Sequence, residues 1–81
     1  MKKIDMKATG ENIKNICEKV ELAPKDISRL FNIDLSTVYY WFQGKVLPRF
    51  DIAYNLADMC NCKIDDFIVP EEEEEDGENN D

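Results

Sequence analysis

The 81 residues carry 18 acids against 10 bases and no histidine, a formal net charge of −8. A chain of this length closes over one small core, and its 43% hydrophobic content is enough to fold it. The missing histidine excludes a Ser-His-Asp triad, a Cys-His pair and a histidine-containing zinc site, and no apolar run nears the ~20 residues that span a bilayer.

Residues 1–8 contain Lys2, Lys3 and Lys7 and read as a basic N-terminal arm without a signal-peptide core. Thr9 is expected to N-cap a first helix, with Glu11 in its first turn. Ile13, Ile16, Cys17 and Val20 then recur at i, i+3, i+4 and i+7, one apolar stripe. Pro24 suits the first position of a second helix, where a missing N–H costs nothing. Its predicted buried stripe is Ile27, Leu30 and Phe31. Turn residues follow at Asn32 and Asp34, and Asp34 is the best capping residue in the chain. The third helix runs from Leu35 to Gln43 with Val38, Trp41 and Phe42 inward, and Gly44 stops it in a left-handed conformation. Pro48 opens a fourth helix whose inward residues are predicted to be Phe50, Ala53, Leu56, Ala57 and Cys60. A short turn at Ile64 to Ile68, capped by Lys63 or Asn61, and Pro70 complete a domain spanning residues 9–70.

Residues 71–81 hold eight acids and no base. Removing those eight leaves ten acids against ten bases in residues 1–70, so the folding part is neutral. Like charges in a row with nothing apolar to anchor them predict a disordered acidic tail. Cys17, Cys60 and Cys62 are odd in number, and two of them are separated by one residue, which makes no disulfide framework. Reduced thiols in a cytoplasmic protein are expected, with no metal and no cofactor.

The predicted fold is therefore all-α, a compact bundle of five short helices. Helices two and three are joined by about three residues, which forces a steep crossing of the helix-turn-helix kind. The outward face of the third helix carries Leu35, Ser36, Thr37, Tyr39, Tyr40 and Gln43. A merely solvated helix would show Glu and Lys there. Uncharged hydrogen-bonding groups and aromatic edges suit instead the acceptors, amino donors and thymine methyls of a DNA major groove. Lys25 in the first turn of helix two, and Lys45 and Arg49 around the loop after helix three, are candidate phosphate contacts.

From Ile13 to Ile68, about 56 of the 81 residues, the chain resembles the lambda-repressor/Cro-type helix-turn-helix domain of bacterial and phage regulators, the xenobiotic-response-element family. The resemblance rests on NIDLSTVYYWFQGKVLP, with Val38, Trp41, Gly44, Lys45 and Pro48 in the family's places. It rests also on FDIAYNLADMCNCKIDDFI, with Leu56-Ala57 and Ile64-Asp65-Asp66-Phe67 at the usual spacing. It implies a recognition helix in the major groove, with Leu35, Ser36 and Tyr40 reading bases, Thr37 and Tyr39 beside them, and Gln43 and Lys45 on phosphates. The expected function is a sequence-specific DNA-binding transcriptional regulator, a repressor, with double-stranded DNA as partner and two copies on a palindrome. Val46-Leu47 and Ile68-Val69 are the candidate dimer surfaces. The competing reading is a protein-interaction module on the same scaffold, an antirepressor or a binder of another regulatory protein. The overall acidity, the Tyr39-Tyr40 face, and Pro24-Lys25 standing where many members place a glutamine support that alternative. No acid/base pair or phosphate loop points to an enzyme.

Overall fold

The computed structural model describes residues 2–72; the expected acidic tail lies, beyond Glu72, outside the described residues. Five helices follow one another, α1 (Met6–Lys19), α2 (Pro24–Phe31), α3 (Leu35–Phe42), α4 (Phe50–Met59) and α5 (Ile64–Phe67). The chain is all-α as its periodicity predicts. Among the described residues the only β pairing is an isolated bridge between Ile4 and Pro70, and no helix is long and apolar enough to cross a membrane.

The core forms where the stripes of α1, α3 and α4 meet. Ile13 and Cys17 from α1, Ile27 from α2, Val38, Trp41 and Phe42 from α3, and Ile52, Leu56, Ala57 and Cys60 from α4 and its cap make one cluster with Phe67 of α5. Trp41 is the largest fully buried side chain. Its removal from water is worth about 5 kcal/mol at ~25 cal/mol per Å². Helix α3 packs on α1 and on α2, while α5 bridges α1 and α4.

Helix α1 starts earlier than the cap residues alone suggest. Asp5, not Thr9, is the N-cap, and its side chain accepts the Ala8 N–H at 2.9 Å. Both residues are good caps in isolation. Tertiary pairing decides between them: the Asp5 N–H donates to the Val69 carbonyl at 2.8 Å and the Glu71 N–H to that of Lys3 at 2.9 Å, which holds residues 3–5 extended. Thr9 is thereby wound into the helix and completely buried, where its hydroxyl accepts the Val69 N–H at 2.9 Å. Lys7 belongs to the first turn of α1 rather than to an arm, and Glu11 lies beyond that turn.

Three further expectations are corrected. Leu30 is 58% exposed, because α2 turns only the Ile27–Phe31 line toward the core and packs chiefly on α3. Phe50 is 76% exposed. Ile52, Ala53, Leu56, Ala57 and Cys60 form the buried stripe of α4; Phe50 stands at the edge of that stripe, about 20° of rotation from Ala57, but as the first residue of the helix it lies at its open end. Helix α4 begins two residues after Pro48 rather than at it.

Gly10 and Gly44 fix how α1 meets the end of α3. A Cβ on Gly10 would lie 2.7 Å from the Gly44 nitrogen and 2.8 Å from the Phe42 carbonyl oxygen. Gly44, at φ +77°, backs onto the Met6–Lys7 main chain in the same way. The two helices therefore touch backbone to backbone. Gly10→Ala should destabilise the fold by about 1–3 kcal/mol, as overpacking does elsewhere, read as a lower urea midpoint with unchanged slope. A midpoint equal to wild type would mean that the seam is loose.

Candidate nucleic-acid interface

Helices α2 and α3 are separated by Asn32, Ile33 and Asp34, and each turn residue has a defined task. Asn32 takes the left-handed conformation (φ 53°) as the C-cap of α2, and its N–H donates to the Arg29 carbonyl. Asparagine adopts this region at less cost than most side chains. The Ile33 N–H donates to the Ser28 carbonyl at 3.0 Å, and the Ser28 hydroxyl donates to the Ile33 carbonyl at 2.6 Å. Asp34 occupies the N-cap position of α3, but its side chain makes no capping bond. Its carbonyl instead accepts the Thr37 N–H at 3.0 Å. Main-chain bonds and one serine thus set the angle between the helices.

At 100° per residue, burying Val38, Trp41 and Phe42 sends Ser36, Tyr40, Gln43 and Tyr39 to the opposite side of α3. All four are exposed, and so is Leu35, on the flank of this face. Thr37 lies on the other flank and is half-buried, so it stands apart from the outward row. The six residues named from the sequence therefore do not form one flat face. Ser36 and Tyr40, four apart, are its centre.

The candidate phosphate contacts are spread around this centre. Lys25 is exposed in the first turn of α2, behind Pro24. The Ala23 N–H there donates to Asp26 Oδ2 at 3.1 Å, which leaves one orphan donor fewer for an anion. Lys45 is held close to the outward face of α3: its N–H donates to the Tyr40 carbonyl at 2.9 Å, and its ammonium sits 5.4 Å from the centroid of the Tyr40 ring, a cation–π contact. Arg49 is the N-cap residue of α4 and is already partnered, with Nη2 at 3.2 Å from Asp51 Oδ2. An exposed pair of this kind is weak, and a phosphate can compete for the guanidinium.

Tyr39 and Gln43 also border a groove of about 720 Å³ between α1 and α3, with Phe42 in its wall. Lys7 and Lys14 line it together with Glu11, Glu18 and Glu21. Two ammonium groups against three carboxylates leave this flank without net positive charge. Sequence reading had passed over Lys14, although Lys7 and Lys14 seven apart already place two cations on one side of α1.

The thiols make a separate group. Cys17 and Cys60 are buried and Cys62 is partly so. Burial pushes the Cys17 thiol up to about 12, and the same cause raises Cys60 and Cys62. Among the described residues no set of three or more His, Cys, Asp or Glu side chains is placed to hold a metal ion.

Residues 12–73 match the sequence profile of the Cro/C1-type HTH DNA-binding domain. The chain is also similar to an uncharacterized HTH-type transcriptional regulator of Archaeoglobus fulgidus, at 27% identity over 62 residues, covering 76% of this chain and 87% of the relative. No solved structure matches it.

A raised thiol pKa has a definite sign in stability. The native fold keeps the Cys17 proton until about pH 12, whereas the unfolded chain releases it near the ordinary value of 9.0. Above that value the unfolded state binds fewer protons, so the contribution of Cys17 is constant below it and is lost as pH rises toward 12. Urea midpoints measured from pH 7 to 11 should fall less steeply for Cys17→Ala than for wild type; parallel curves would refute the assignment.

Proposed function

The chain belongs to the Cro/C1-type helix-turn-helix DNA-binding domain family, and from that membership we propose that it is a sequence-specific transcriptional regulator that lays α3 in the major groove and represses by occupying an operator. One observation supports this most. Ser36 and Tyr40 stand outward on a short helix whose opposite side is clamped by Val38 and Trp41, so their donors and acceptors are held rigidly where base edges would lie. Leu35 reaches a thymine methyl from the flank. Tyr39 and Thr37 have supporting places, Tyr39 over the groove and Thr37 against the turn.

Phosphate contacts fall in this reading to Lys25, Lys45, Gln43 and Arg49. Lys45 is the strongest of them, because its seat on Tyr40 places the charge beside the reading face before DNA arrives. A neutral body makes few such contacts, so affinity is moderate and depends on salt with a shallow slope. A reader of this size spans one half-site, and two copies on a palindrome supply the specificity of a repressor.

Selection of bound sequences from a random duplex pool gives the operator, and substitutions then separate the roles. Ser36→Ala should lose about 1–3 kcal/mol at the selected site and nothing on random duplex. Lys45→Ala should weaken all sequences alike and lower the salt slope by about one unit. Tyr40→Phe keeps the seat of Lys45 and removes only the hydroxyl, so it should resemble Ser36→Ala in kind. Losses of Ser36→Ala and Tyr40→Phe that are equal on selected and random DNA would overturn base reading by α3.

A further inference from the structure

The two ends of the fold meet at one corner. Ile4 and Pro70 form an antiparallel bridge, and the Glu71 N–H donates to the Lys3 carbonyl at 2.9 Å. Just beyond, the Met6–Lys7 main chain backs onto Gly44, with the Lys7 Cα 2.7 Å from where a Gly44 Cβ would lie. Lys45 follows, so its Cα is at most ~8 Å from that of Lys7. Both lysines are exposed, and the Lys45 ammonium is seated on the Tyr40 ring. Among the described residues the only ion pair is Arg49–Asp51, so no carboxylate there matches these two cations. The segment that leaves the corner leads into acids at Glu73, Glu74, Glu75, Asp76 and Glu78, with no base in residues 71–81.

We propose that the acids of residues 73–78 dock on the Lys7–Lys45 corner of their own chain, beside Tyr40, and that a DNA phosphate has to displace them. Charge selects this seat over the others. The groove between α1 and α3 presents Glu11, Glu18 and Glu21 against Lys7 and Lys14, which repels an acidic segment from its interior. Arg49 is shared with Asp51, and Lys25 stands next to Asp26. Lys3 and Lys2 lie opposite Glu71 and Glu72 in the register of the bridge. Those two acids offset those two bases, and the later acids are left for the corner.

The chain is long enough to make the contact. From Lys3 to Lys7 the main chain covers at most ~14 Å, and the paired segments lie about 5 Å apart. The residues from Glu71 to Glu78 span up to ~24 Å, more than that sum. A segment tethered so closely acts at an effective concentration on the order of 1 mM. Exposed ion pairs are individually weak, so the seat is filled only in part, and its filling follows salt. Salt that weakens the phosphate contacts also empties the seat, which flattens the salt dependence of DNA binding. The competition rests on the DNA binding proposed above; the docking itself does not.

The test compares the full chain with a full-length variant carrying Glu73→Gln, Glu74→Gln, Glu75→Gln, Asp76→Asn and Glu78→Gln, none of them a core position. Without DNA at low salt, the amides of Lys7, Gly44 and Lys45 should shift between the two proteins. The difference should vanish in about 1 M salt, where charges are screened within ~3 Å. No difference, or one confined to Lys2 and Lys3, overturns the proposal. On random duplex at low salt the variant should bind about fivefold more tightly, with a steeper salt slope. That gain should shrink to about twofold when both proteins also carry Lys7→Gln. A gain of undiminished size means diffuse repulsion by the acids and overturns the seat. Equal affinity of chain and variant overturns the competition. Amide shifts at the corner in a chain that binds no duplex support the docking and overturn the regulator proposed above.

Discussion

The whole arrangement depends on the place where α1 crosses the end of α3 with no side chain between them. Gly10 and Gly44 bring main chain against main chain, and this close approach lets Trp41 reach the core while the other side of α3 stays free. A wider seam would tilt α3, and with it the outward row and the Lys45 seated on Tyr40. The position of α3 is thus set by an absence of atoms in two residues, neither of which lies on its outward face.

Electrostatics then selects among the surfaces that packing leaves open. The chain is acidic as a whole, yet its acids are concentrated after Pro70, and residues 1–70 balance. Within that balanced body the two flanks of α3 differ. Toward α1, Glu11, Glu18 and Glu21 offset Lys7 and Lys14. Toward the loop after α3, Lys45 sits on Tyr40. A polyanion meets the second flank on better terms, so net charge is a poor guide here and its local distribution a good one.

Much of this was legible from the amino acids. The five helices follow from period-3.6 stripes, and the left-handed Gly44 and the proline at the start of α2 follow from backbone preference. The outward row on α3 follows from three buried residues and a rotation of 100° each. The errors share one cause. Asp5 and Thr9 are both caps, Asp the better of the two, and the pairing of residues 3–5 with 69–71 that extends the chain before Asp5 is not a local property. Leu30 and Phe50 look like core residues by hydrophobicity, yet Leu30 lies off the Ile27–Phe31 line and Phe50 sits at the open first position of α4. Gly10 did carry a signal: a glycine inside a helix is costly enough to suggest a close approach.

The bond between Thr9 and Val69 joins residues sixty positions apart, while the glycine seam joins residues at about half that separation. Each doubling of a loop costs about 0.6 kcal/mol more to close, and closing the shorter loop first brings the distant segments together. The difference, about 0.5 kcal/mol, favours docking of α1 on α3 before the extended segments beside Ile4 and Pro70 pair. Once they pair, the Val69 amide is held by the buried Thr9 hydroxyl, so its hydrogen–deuterium exchange reports the opening of this long-range closure.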